Sequence, residues 1–144
     1  MKKLIFIMAF AFIGTCGFSQ LLQPDQVPDM IKGRLQAVFP QTLDIPVSWS
    51  KEKANYKAAI TIMDAPAYMV IDSLGRTVRI ERKLHETYLP KKAKAYLKTL
   101  DPNCEIVSIY EITDAKGIIT YKTVAKISTN FTFDKEGTTL GGKK

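Results

Sequence analysis

A chain of 144 residues with one histidine, one tryptophan and two cysteines is poor in the side chains on which much enzymatic and metal chemistry turns. A structural metal site needs several His or Cys ligands at regular spacing. His85 has no such companions nearby, so no metal and no cofactor is expected. A Ser-His-Asp or Cys-His arrangement would have to recruit the same His85. No nucleophile motif accompanies it, and it reads as a solvated linker residue; no catalytic residue is expected. A Gly-rich phosphate loop is absent as well. The apolar run at residues 4–13 is too short to span a bilayer, which takes about twenty residues. Asp64 and Asp72 sit at turns, where aspartate serves backbone hydrogen bonding rather than acid–base work.

What is present describes an ordinary globule: 46% hydrophobic and 24% charged residues leave no case for disorder. Lys2 and Lys3, the apolar run, and Gly17-Phe18-Ser19 as a small-x-small site predict a secretory signal over residues 1–19. The mature chain would then carry 19 basic and 14 acidic residues. That excess suits solubility, and an exported protein has little occasion to meet nucleic acid. Ile13-Gly14-Thr15-Cys16 also loosely resembles a lipoprotein box, so membrane association would come only through lipidation of Cys16. With Cys16 in the signal, Cys104 is the single remaining cysteine, and it is expected half-buried.

The chain also repeats itself. Pro28 and Pro90, Leu35 and Leu97, and Pro40 and Pro102 are each 62 positions apart, as are Asp72 and Asp134 and Gly75 and Gly137. Repeats decide architecture before propensities do. The division expected is a lead-in at residues 20–26, a first copy at 27–82, a linker at 83–88, a second copy at 89–140 and a frayed tail at 141–144. Each copy opens with a proline-led helix, 28–39 or 90–100, ended by the next proline. Ile31, Leu35 and Val38 form one apolar stripe, and Ala93, Leu97 and Leu100 the other.

Four strand-like runs follow each helix: 45–50, 55–63, 67–71 and 76–82, then 105–112, 118–127, 130–133 and 138–140. Tyr56, Ala58, Ile60 and Ile62 share one face, and Asp72-Ser73-Leu74-Gly75 reads as a tight turn. The fold class expected is α+β, with two tandem repeats of one helix on a four-stranded antiparallel sheet, the sheets able to join edge to edge. Each helix can cover only one sheet face. The other, widened by joining and curved by twist, would meet water or a partner. Trp49, Tyr56, Tyr68, Tyr110 and Tyr121 lie on strands and are the candidate binding surface, since Trp and Tyr dominate interface hot spots.

Val27-Pro28, Phe39-Pro40, Trp49, Tyr56, the turn at residues 72–75, Leu89-Pro90, Pro102 and the turn at 134–137 together give the chain a family likeness. It resembles the PepSY-like family of exported bacterial proteins, also described as β-lactamase-inhibitor-like. The second copy has Asp101-Pro102 where the first has Phe-Pro, and it has no tryptophan. The resemblance implies a periplasmic or secreted non-enzyme that binds, as an inhibitor or regulator would, an unidentified envelope protein such as a peptidase or β-lactamase. Two alternatives stand beside it. One is a small-ligand or anionic-surface binder, for which Lys91, Lys94 and Lys98 share a helix face. The other is a small enzyme dependent on His85.

Overall fold

The computed structural model describes residues 20–126 and 130–143. The expected signal segment and Cys16 lie outside them. Among the described residues two α-helices, α1 (Asp29–Val38) and α2 (Lys91–Leu100), accompany nine strands. The strands are β1 (Leu21–Leu22), β2 (Ser48–Glu52), β3 (Asn55–Ile62), β4 (Ala65–Ile71), β5 (Thr77–Leu84), β6 (Ile106–Asp114), β7 (Ile119–Ala125), β8 (Asn130–Asp134) and β9 (Thr139–Lys143). They form one sheet in chain order, β1 to β9. Every neighbouring pair is antiparallel.

Both helices start immediately after a proline, Pro28 or Pro90, which occupies the N-cap rather than the first helical position. Their ends are set by the sequence as well. The Phe39 N–H donates to the Leu35 carbonyl at 2.8 Å and the Asp101 N–H to the Leu97 carbonyl at 3.1 Å. A proline follows each of these residues, and the position before a proline disfavours helix. Ile31 and Leu35 are buried and Val38 half-buried, all against the first core. Ala93 and Leu97 are buried in the second core, but Leu100 is 49% exposed. Tyr96 takes the role expected of Leu100 and meets Phe131 and Phe133 edge-on.

Cross-strand register aligns these cores on one side of the sheet. Trp49 opposes Ala58, Ala58 opposes Met69 and Met69 opposes Ile80. With Tyr56, Ile60, Ala67 and Ile71 these residues pack against α1. A second cluster, of Ile109, Ala125, Phe131 and Phe133, packs against α2. Residues on one face of an antiparallel sheet alternate with those on the other, so both helices lie on the same side.

The sheets join edge to edge, as the sequence reading allowed: β5 and β6 pair from Arg79↔Asp114 to Leu84↔Ile109, giving one nine-stranded sheet among the described residues. Other expectations need correction. Leu21 and Leu22, read as lead-in, pair with Ser50 and Trp49 as an added edge strand. This removes β2 from the edge, the position that Pro46 suggested; Pro46 itself falls just before β2. Residues 141–143, read as frayed tail, extend β9 along β8. Backbone pairing of this kind leaves little trace in local side-chain pattern.

Candidate functional site

The site begins with what the helices leave uncovered. Strand alternation sends Lys57 of β3, Tyr68 and Val70 of β4, Arg79, Glu81 and Lys83 of β5, Tyr110 of β6 and Lys122 of β7 to the side opposite the helices. The Tyr68 and Tyr110 rings, on strands separated by β5, meet with centroids 6.3 Å apart. The Lys57 ammonium lies 4.6 Å from the Tyr68 ring centroid, a cation–π distance. Val70, although on the open face, is 0% exposed. Its register neighbours are Lys57 and Arg79, long side chains whose stems can cover apolar surface while their heads stay wet.

Charge on this face is unevenly compensated. The Arg79 guanidinium bridges Glu81 at 2.6 Å and Glu52 at 2.8 Å. Partial burial opposes the Arg79 charge, but the hydrogen bonds it donates to Glu81 and Glu52 outweigh that and hold the group above its ordinary pKa. Lys83, Tyr110 and Lys122 lie in one register row across β5, β6 and β7. Both lysines are exposed, and among the described residues neither forms an ion pair. A hollow of about 570 Å³ continues the row at Lys122 and Thr132, where Gly141 and Gly142 leave β9 without side chains. The arrangement is two converging tyrosines ringed by Lys57, Lys83 and Lys122. It suits anionic, aromatic-compatible contacts over a broad surface.

The five strand aromatics divide between the two sides. Trp49 is 4% exposed and belongs to the first core. Tyr56 packs on that core with the Lys51 ammonium 3.3 Å from its ring centroid. Tyr121 opposes Glu111 and Phe133 on the helix side. Burial, and after it the negative charge of Glu111, push its hydroxyl pKa up. Trp49 is therefore corrected from surface to core, Tyr56 and Tyr121 are half-buried on the helix side, and Tyr68 and Tyr110 are the two on the open face. Lys57, Lys83 and Lys122 escaped sequence reading because register, not local spacing, brings them together.

Other singled-out residues have modest settings. His85 is exposed, and its Nδ1 accepts from the Thr87 N–H at 3.4 Å, capping a 3-10 turn at Glu86–Tyr88. Cys104 is half-buried, and burial, with a smaller contribution from Asp101, raises its thiol pKa. Lys91 and Lys98 are exposed, while the Lys94 ammonium donates to the Thr87 carbonyl at 3.4 Å. Among the described residues no three His, Cys, Asp or Glu groups are placed to hold a metal ion, and no helix is long and apolar enough to cross a membrane.

No family model and no curated protein matches the sequence. Solved structures do. A DUF2874 family protein of Bacteroides uniformis superposes with a TM-score of 0.71 at 11% identity, covering 81% of this chain and 88% of its own. A candidate periplasmic protein of Bacteroides eggerthii gives 0.68 at 13%, with 81% and 88% covered. A BLIP-like protein of Bacteroides fragilis gives 0.66 at 15%, with 88% of each chain covered. At these identities the likeness establishes a shared β-lactamase-inhibitor-like fold.

Proposed function

We propose that this protein is an exported, non-catalytic binding module, built as two PepSY-like copies in tandem, whose working surface is the open sheet face around Tyr68 and Tyr110. Its partner is an acidic patch on another envelope protein, with a peptidase or β-lactamase as the class suggested by the family resemblance and by the BLIP-like neighbour's description. The observation that carries the reading is the tyrosine pair ringed by Lys57, Lys83 and Lys122 on a face that neither helix covers. Tyrosine loses little conformational entropy when ordered and supplies large contact area. Lysines at the rim steer an acidic partner and make its association salt-dependent. A sheet face can also provide the roughly 800 Å² per partner of a standard interface without a deep pocket. The periplasm is the proposed compartment, on the signal-like residues 1–19 and on the description of the Bacteroides eggerthii neighbour.

The test is partner recovery from an envelope extract, followed by titration of the recovered protein with the unmodified chain and with a Tyr68→Ala/Tyr110→Ala variant. The variant should bind at least about thirtyfold more weakly, the effect of losing about 2 kcal/mol at a hot spot. Undiminished affinity in a folded variant would overturn the assignment.

A further inference from the structure

On the opposite side of the sheet lies a groove of about 560 Å³, within the size range of small-molecule sites. It forms where the end of α1, the β3–β4 hairpin and the segment after β5 converge. Val38, Phe39, Ile62, Pro66, Leu84 and Tyr88 give it apolar walls. Arg82 enters from β5, its guanidinium carbon 5.5 Å from the Phe39 ring centroid. Among the described residues no carboxylate lies within 4 Å of that guanidinium. Glu111, its register neighbour on β6, forms no ion pair with it. Among the described residues no acidic residue lines the groove. An aromatic-backed cation at one point of an apolar groove complements a ligand with one anionic end and an apolar body.

The hairpin at the mouth gives a second, independent sign. A two-residue turn of this geometry is ordinarily supplied by Asn-Gly or Asp-Gly. Here Met63 and Asp64 hold φ of 48° and 62°, a conformation that costs a non-glycine residue about 1–2 kcal/mol. Met63 is 96% exposed and lines the groove. Its flexible, polarisable side chain is suited to closing over an apolar ligand of variable shape. Backbone strain of this kind gathers at ligand clamps.

We infer that this groove binds a small amphipathic carboxylate, with the carboxylate on Arg82 and the aliphatic body between Phe39, Leu84 and Met63. The site shares only Lys83 with the open-face ring and none of its tyrosines, so either assignment can fail without the other. Calorimetric titration of the full chain with decanoate, with decyltrimethylammonium and with acetate tests it. Decanoate should bind one per chain, about tenfold or more tighter than the cation of equal chain length, and acetate should show no saturable binding. Arg82→Met, which keeps the stem and removes the charge, should erase the preference for the anion, whereas Arg82→Lys should retain part of it. Met63→Asn, favourable for the left-handed turn, should leave thermal stability unchanged or higher and weaken decanoate severalfold. Equal affinity for anion and cation, no saturable decanoate binding, or full affinity in a folded Arg82→Met chain would overturn the inference. The charge preference of the unmodified chain is decisive even if a variant misfolds.

Discussion

At Gly137 a single added methyl group would sit 2.7 Å from the Ala93 backbone nitrogen and 2.8 Å from the Pro90 Cβ, where the β8–β9 turn meets the start of α2. Neither neighbour can move without shifting the helix. The corresponding contact at Gly75 is with the Met30 side chain at 3.1 Å, whose far end can swing away, and Gly117 meets nothing within 4 Å. All three have φ near 80°, so alanine carries the same left-handed penalty of about 1–2 kcal/mol at each. Differences among the three therefore report packing alone. Denaturant unfolding should rank Gly137→Ala as the most destabilising, Gly75→Ala next and Gly117→Ala least; equal losses would mean that the β8–β9 turn is not seated on α2.

Among the elements, the three Asp-x-x-Gly turns repeat one design. Asp72 Oδ1 accepts from the Leu74 and Arg76 N–H groups, Asp114 Oδ1 from Lys116 and Ile118, and Asp134 Oδ1 from Glu136 and Thr138. Backbone donors, Arg76 foremost at Asp72 and Thr138 at Asp134, hold both carboxyl pKa values below the ordinary 3.8. A carboxyl with a lowered folded-state pKa stabilises fully above its unfolded value of about 3.9 and loses that contribution as pH falls through the lower folded value. Melting temperature should therefore drop below about pH 4, and Asp72→Asn/Asp134→Asn should flatten that drop while retaining a side-chain acceptor. An identical acid profile for the variant would contradict this.

These turns, the proline-bounded helices and the inward face of β3 were readable from sequence because each is set by neighbours within a few residues. The faces of Trp49 and Tyr121 were not. In β2, Trp49 is the only apolar residue of Ser48–Glu52, too little for a period-two pattern to declare a side. Tyr121 lies in β7, where apolar and polar residues mix without strict alternation, and its side is declared only by its pairing with Glu111 and Phe133. The candidate site suffered the same limit: Tyr68 and Tyr110 were marked as aromatics, but their lysine ring depends on register across five strands.

For the whole molecule, the question is whether two cores under one sheet behave as one unit. A half of this size is marginal alone, and continuous pairing of β5 with β6 ties the halves together. The single tryptophan makes this measurable, because Trp49 lies in the first core while Leu97 is 1% exposed in the second. Leu97→Ala should cost about 2–5 kcal/mol and shift the Trp49 fluorescence transition together with the far-ultraviolet circular dichroism transition. A Trp49 transition left in place would show that the halves unfold separately.

The same sheet defines two chemically different sides, and the central claim is that the one without helices meets the partner. Photo-crosslinking in the living cell tests it most directly, with a benzophenone amino acid introduced singly at exposed Lys83 or Lys122 on the open face, and at exposed Gln36 or Lys98 on the helices. The account predicts a crosslinked product of one common mass from positions 83 and 122, and none from 36 and 98. Products from the helix positions alone, with none from the open face, would contradict it.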